Sequence, residues 1–220
     1  MDKINIYIDM DGVQAVYGKG DTVEDMGKPG YFRNRQVQQN VIELIEALNI
    51  DEHINLIILS GVFKDDHSAA DKLLWLLERD LGDVRVCFVP EGENKSDYAV
   101  TEGLNILIDD FSKNLFAWES KGPGFVGIKF MNGINGTKGT WAKRNGITLD
   151  ASLPAEDLYD RLIEISERLE QHYIAAGVIS DETNARNNIP KSFVLPDAMT
   201  DCVIPSVGID TPAGIAYEVA

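Results

Sequence analysis

Two aspartates near the N-terminus, Asp9 and Asp11, are the residues of this chain whose types and spacing point most directly to chemistry. They follow the apolar run of residues 4–8 and precede Gly12, which allows the backbone to turn sharply. Residues i and i+2 of a strand point the same way, so both carboxylates can face one reacting group. This arrangement outlines a phosphoryl-transfer site at the end of a strand.

Groups that bind phosphate follow at two further points of the chain. A second apolar run, residues 54–59, ends at Ser60 and Gly61. At a strand tip, a hydroxyl and an unhindered backbone amide can hold phosphate oxygens. Lys95 lies in the polar loop of residues 91–97 and adds a positive charge. Ser60, Gly61 and Lys95 are therefore the candidate phosphate-binding residues.

Two more aspartates, Asp109 and Asp110, follow a third apolar run at residues 104–108. A dianionic phosphate beside these acids and Asp9 would be repelled unless a cation lay between them. Mg²⁺ meets that need, because it favours oxygen ligands in near-octahedral geometry. The sequence thus predicts Mg²⁺ as the cofactor.

In this order, the four elements resemble those of the haloacid dehalogenase-like phosphohydrolases, which read DxDx(T/V), then Ser or Thr, then Lys, then an acidic pair. The matching residues here are Asp9-Met-Asp11-Gly-Val13, Ser60, Lys95 and Asp109-Asp110. Within that family, the runs at residues 8–13, 30–34 and 107–110 look most like the 5'(3')-deoxyribonucleotidases. The resemblance covers residues 1 to 145 or thereabouts.

The resemblance implies a role for each matched residue. Asp9 would attack phosphorus to form an aspartyl-phosphate, and Asp11 would protonate the leaving oxygen and later activate water. The expected Mg²⁺ ligands are Asp9, the backbone carbonyl of Asp11 and Asp110, with Asp109 beside them. The expected activity is Mg²⁺-dependent hydrolysis of phosphomonoesters, above all deoxyribonucleoside monophosphates.

A short cap is expected at residues 14–35, where Tyr31, Phe32 and Arg33 are the candidate substrate-binding residues. An aromatic ring can stack on a nucleobase, and an arginine can bind phosphate or sugar. The alternative, which we weigh evenly, is that Phe32 packs the cap against the sheet.

Two other activities stay open. Phe111 follows the acidic pair where deoxyribonucleotidases often carry Arg, and the segment at residues 14–35 is shorter than their cap. A phosphatase of sugar phosphates or of other small phosphorylated metabolites is the first alternative. A low-turnover nucleotide-binding or regulatory module is the second, although the intact pair of Asp9 and Asp11 argues against it.

Composition excludes several classes of protein. The net charge of −16 argues against general binding to a nucleic-acid backbone, whereas a small nucleotide held through Mg²⁺ is compatible with it. Two cysteines and three histidines suggest neither a disulfide framework nor a zinc cluster. We find no N-terminal leader and no 18-residue apolar stretch, so we expect a cytoplasmic protein without a membrane partner. The expected partner is a small-molecule phosphomonoester, and a homodimer stays open.

Apolar strands alternate with segments of helical period, which predicts an α/β fold doubly wound around a mostly parallel, five-stranded Rossmann-like sheet. The predicted strands are residues 4–8, 54–59, 84–89, 104–108 and 125–129. One predicted helix has its apolar stripe at Ala69, Leu73, Leu76, Leu77 and Leu81.

The chain divides into three predicted parts. Residues 1–150 form the haloacid dehalogenase-like core with its small cap, and residues 151–176 form a C-terminal helix. Residues 177–220 contain half of the eight prolines, which predicts an irregular tail packed on the core or on a partner. The apolar stripe of the helix, predicted to pack in the core or an interface, comprises Leu158, Leu162, Ile165 and Leu169.

Overall fold

The structure is a computed structural model. It describes residues 4–18, 20–65, 67–100, 102–134, 141 and 146–178. The part of the predicted tail beyond residue 178 therefore lies outside the described residues.

The described chain alternates strands with helices. The strands are β1 (Ile4–Ile8), β2 (Ala15–Val16), β3 (Gln36–Val37), β4 (Ile54–Val62), β5 (Arg85–Pro90), β6 (Asn105–Asp109), β7 (Phe125–Met131) and β8 (Thr148–Asp150). The helices are α1 (Val23–Met26), α2 (Gln39–Ile50), α3 (Ser68–Leu77), α4 (Ser112–Glu119) and α5 (Ala155–Ala175). Residues Lys95–Tyr98 form one turn of 3₁₀ helix.

Six of the strands form one sheet in the order β5-β4-β1-β6-β7-β8, and every neighbouring pair is parallel. After β1 the chain builds one half of the sheet through β4 and β5, then crosses to the other side of β1 to form β6. Ligands of open α/β sheets bind outside the carboxyl ends of the strands at such a switch point. The carboxyl ends of β1, β4 and β6 therefore meet at one edge.

The predicted parallel α/β sheet is confirmed, but the prediction of five strands is wrong, because the sheet has six. The additional strand, β8, has three residues, of which the middle one, Leu149, is buried. One buried side chain gives no periodic signal in the sequence. Strands β2 and β3 pair antiparallel as a separate two-stranded sheet, with β2 inside the predicted cap and β3 directly after its predicted end at residue 35.

Alternate residues of β1 pack on opposite faces of the sheet. Ile6 and Ile8 belong to a buried core with side chains of α2 and α5, whereas Tyr7 belongs to a second core that contains Trp118 of α4. Helices on both faces explain why β1 is apolar apart from Asn5. This burial holds the end of β1, where the two aspartates follow, at a fixed place.

Helix α5 packs on α2 through the predicted stripe. Leu158, Leu162 and Ile165 are buried, and Leu169 is partly buried against the same core. The Tyr159 hydroxyl donates to Asp51 Oδ2 at 2.8 Å, next to the end of α2. The stripe therefore serves core packing within the chain.

The buried face of α3 differs from the predicted apolar stripe. Leu76 is buried, but Leu77 is 50% exposed, and the buried face includes the polar residues Ser68, Asp71 and Lys72. The periodicity of apolar residues predicted the wrong buried face for α3, because polar side chains occupy part of the face that is actually buried.

Among the described residues, no helix combines the length and the apolar character needed to cross a membrane.

Replacing Leu162 with Ala should lower the free energy of unfolding by about 2–5 kcal/mol, because the side chain is fully buried and its loss leaves a cavity. The matched control is Ile50→Ala on α2, which is 85% exposed and should change stability by less than about 0.5 kcal/mol. Urea unfolding measures both. Equal stability of Leu162→Ala and the wild type would contradict the packing of α5 on α2.

Candidate active site

The turn after β1 places Asp9 and Asp11 at the carboxyl edge of the sheet. Asp9 is 5% exposed, and its Oδ1 accepts a hydrogen bond from the Met10 amide at 2.8 Å. Gly12 has a φ of +77°, and a Cβ atom there would lie 2.2 Å from Asp110 Oδ2. The turn therefore requires glycine for its conformation and for the approach of Asp110.

Lys95 joins two of the buried aspartates. Its Nζ lies 2.7 Å from Asp9 Oδ1 and 2.7 Å from Asp109 Oδ2, and the residue is 7% exposed. Burial opposes its charge, but the two carboxylates outweigh burial and hold the pKa of Lys95 above its usual value. The 3₁₀ turn after β5 thus supplies a permanent cation beside Asp9.

Three donors surround the carboxylate of Asp109. Oδ2 accepts from Lys95 and, at 2.8 Å, from Asn114 Nδ2, while Oδ1 accepts from the Phe111 amide at 2.7 Å. Burial raises the pKa of Asp109 to about 6, against the opposing effect of Lys95. This carboxylate orients Lys95 and the start of α4.

Asp110 faces the site from the end of β6. Its Oδ2 accepts a hydrogen bond from Asn132 Nδ2 at 2.7 Å, and the same amide nitrogen lies 2.7 Å from Gly12 O. Lys129 Nζ donates to the Asp110 backbone carbonyl at 2.5 Å. The ends of β1, β6 and β7 are thereby tied together around one carboxylate.

The carboxylates of Asp9, Asp109 and Asp110 form a buried group that could hold a metal ion. One oxygen of each lies within 4.8 Å of the others. Of the three residues, Asp9 and Asp110 also line the adjoining cavity. Oxygen donors of this kind suit a hard divalent cation.

Ser60 and Gly61 lie within β4, which continues to Val62, beyond the predicted end of the strand at residue 59. Ser60 is fully buried, and Gly61 lines the cavity. Of these two predicted phosphate-binding residues, the structure therefore places Gly61 at the cavity, whereas Ser60 lies buried next to Lys72 and outside the cavity lining.

Lys72 of α3 is a cation of the site that the sequence analysis missed. It is fully buried and its Nζ donates to Asp11 Oδ2, to Ser60 Oγ at 3.0 Å and to Gly61 O at 2.5 Å. The same nitrogen lies 4.4 Å from the centroid of the Phe32 ring. One face of α3 carries Ser68, Asp71, Lys72 and Trp75. The helical spacing of the three polar residues among them was the signal in the sequence that could have identified Lys72.

Asp11 carries the second candidate carboxylate. Burial raises its pKa, and the neighbouring Asp9 adds to that effect, whereas the Lys72 charge acts against it. Asp11 therefore retains a proton to higher pH than an exposed aspartate.

The cap lies against α3 and forms one wall of the cavity. The Gly30 amide donates to Asp71 Oδ2 at 2.7 Å, and Trp75 Nε1 donates to Arg35 O at 2.9 Å. Phe32 is buried and lines the cavity.

The other two candidates of the cap have partners within the protein. The Tyr31 hydroxyl donates to Asp21 Oδ2 at 2.8 Å, and Arg33 pairs with Glu78 at 2.6 Å. The structure thus brings Phe32, and neither Tyr31 nor Arg33, to the cavity wall.

The cavity has a volume of about 720 Å³. Its floor holds Asp9, Asp11, Asp110, Lys72 and Lys95, and its remaining lining is rich in aromatic and aliphatic side chains. A concave site of this size with a few convergent polar groups is typical of small-molecule binding.

No family model and no curated protein sequence matches this chain. The resemblance to the haloacid dehalogenase-like phosphohydrolases therefore stays a prediction from the sequence.

Replacing Gly12 with Ala should weaken the binding of a divalent cation at the three aspartates by tenfold or more, on the order of 1.4 kcal/mol, because the new Cβ displaces Asp110 Oδ2. Isothermal titration with Mg²⁺ gives the affinity. The control is Gly177→Ala, which also has a positive φ, of +66°, but nothing within 4 Å of the new Cβ. Its Mg²⁺ affinity should equal that of the wild type, and equal affinity of Gly12→Ala would contradict the role of this close approach.

Proposed function

We propose that this chain is a Mg²⁺-dependent phosphomonoester hydrolase of the haloacid dehalogenase-like type, with deoxyribonucleoside monophosphates as its substrate class. The observation that carries the proposal is the convergence of Asp9, Asp11, Lys95 and Asp110 on one cavity at the switch point of the sheet. Hydrolysis of phosphate monoesters is so slow without a catalyst that several groups must act together.

Asp9 is the proposed nucleophile. Its described hydrogen-bond donors, Met10 N and Lys95 Nζ, both contact Oδ1, so Oδ2 is the oxygen proposed to attack phosphorus. The new bond from Oδ2 to phosphorus forms as the bond from phosphorus to the leaving oxygen breaks, which gives an aspartyl-phosphate. Lys95 and the Met10 amide hold the carboxylate in place during the attack.

Asp11 is the proposed general acid and base. A carboxyl whose pKa is raised by burial keeps the proton that the leaving oxygen needs. After the alcohol departs, the carboxylate accepts a proton from the water that attacks phosphorus, which regenerates Asp9 and releases phosphate. The same side chain thus serves both steps.

Charge balance supports a divalent cation in the complex with substrate. A phosphate dianion in the cavity would lie beside the carboxylates of Asp9 and Asp110, and a divalent cation between these groups would offset their mutual repulsion. Asp9 and Asp110, with the backbone carbonyl of Asp11, are the proposed ligands, and Asp109 positions Lys95. When bound, Mg²⁺ would neutralise phosphate charge and stabilise the charge that develops on its oxygens.

Replacing Asp9 with Asn should reduce kcat by roughly a thousandfold or more, because an amide oxygen is a poor nucleophile. The measurement is phosphate release from deoxyribonucleotides, ribonucleotides and sugar phosphates, with Mg²⁺ and after its removal by chelation. Selective release from deoxyribonucleotides that requires both Mg²⁺ and Asp9 is the expected result.

The control is Asp97→Asn, an exposed aspartate whose partner is Lys121 at 2.7 Å. It should retain wild-type turnover. A preference for sugar phosphates would refute the nucleotide assignment, and substantial turnover by Asp9→Asn would refute Asp9 as the nucleophile.

Replacing Lys72 with Met should lower kcat/KM by roughly a hundredfold, because a buried cation beside Asp11 in the cavity lining would stabilise the negative charge of the transition state. Lys72→Arg tests whether charge alone suffices, and Lys121→Met removes an exposed lysine charge as the control. Steady-state kinetics on the best substrate measures all three. An unchanged kcat/KM with lower stability would show that Lys72 merely offsets the charge of Asp11.

A further inference from the structure

Three exposed apolar side chains lie around the cavity: Val23, Phe111 and Ile134, which we call the collar. They are 74%, 50% and 45% exposed. Six large apolar side chains are exposed among the described residues, and half of them line this one cavity. Apolar side chains gathered at a concave site mark a surface that binds a ligand.

Two members of the collar are held by the residues that build the site. The Phe111 amide donates to Asp109 Oδ1 at 2.7 Å, and the Ile134 amide donates to Asn132 Oδ1 at 2.9 Å. Asp109 also holds Lys95, and Asn132 also holds Asp110. These hydrogen bonds fix the backbones of Phe111 and Ile134 relative to the aspartates and Lys95 of the site.

The third member, Val23, is the first residue of α1, where Thr22 and Asp25 form a reciprocal capping box. The rings of Phe32 and Phe63 also line the cavity, with their centroids 6.0 Å apart. The cavity lining therefore includes further apolar side chains besides the collar.

We propose that the collar selects phosphomonoesters whose organic group carries an apolar or aromatic portion, and that Phe111 is a specificity-determining residue. This inference rests on the proposed function, because phosphate bound beside Asp9 places the organic group toward the opening. A flat, weakly hydrated group removes apolar surface from water at the collar. A polyol at the same place loses hydrogen bonds to water, and the three collar side chains have no donors or acceptors that could replace them.

Two synthetic esters test the selection directly. In 3-phenylpropyl phosphate and 3-hydroxypropyl phosphate the phosphate is carried by the same three-carbon primary alkyl chain, and the far end is a phenyl ring or a hydroxyl. The wild-type enzyme with Mg²⁺ should show a kcat/KM about tenfold or more higher for the phenyl ester.

Phe111→Ser should lower this ratio of kcat/KM values about fivefold. Ile134→Ser, in a different part of the chain, should also lower it. The second variant keeps the test valid if the first one fails to fold. The control is Ile50→Ser, which removes an 85% exposed side chain at the end of α2 and should leave the ratio unchanged.

The outcomes separate this inference from the proposed function. The selection is overturned if the wild-type ratio of the two kcat/KM values is near one, or if both collar variants leave that ratio unaltered. In either case, hydrolysis of both esters leaves the phosphatase assignment standing. Failure to hydrolyse the phenyl ester by an enzyme that hydrolyses other phosphomonoesters also overturns it. No hydrolysis of any phosphomonoester refutes the proposed function and the selection together.

Discussion

A buried row of charges, Asp9, Lys95 and Asp109, joins three elements at the carboxyl edge of the sheet. Each carboxylate lies 2.7 Å from the same ammonium nitrogen, and all three groups are almost completely shielded from solvent. Removing one member of a buried ion pair costs about 3–5 kcal/mol, because the other charge is left without compensation. Lys95 has two partners, so the loss of one carboxylate still leaves it paired. The same arrangement fixes Asp9, the proposed nucleophile, and stabilises the fold around it.

Most parts of this site that the sequence predicted share one property, which is that they directly follow apolar runs; Lys95, in a polar loop, is an exception. Asp9, Ser60 and Asp109 come at or near the ends of buried strands, where a change from apolar to polar residues is easy to recognise. A parallel sheet then brings these ends to one edge without further information. The three-residue strand β8 and the two-residue strands β2 and β3 escaped notice, because strands this short have no period.

Lys72 and the orientation of the cap could not be predicted for different reasons. Apolar periodicity assigned the wrong face to α3, since a buried lysine counts as an exposed residue in such a pattern. Tyr31, Phe32 and Arg33 are consecutive in a turn, where neither strand nor helix period determines which side chain points inward. Tertiary contacts decide that question: Asp21 and Glu78 hold the outer two residues, and Phe32 remains at the cavity wall.

One face of helix α3 carries both the side chains that hold the cap and the buried cation of the site. Asp71 and Trp75 hold the backbone of the cap, and Lys72, between them, reaches Asp11 and Ser60. The cap, which forms one wall of the cavity, and the cation beside Asp11 are thus both held by the same helix. Any tilt or shift of this helix moves both at once, so insertions before or after α3 cannot reposition the cap wall independently of Lys72.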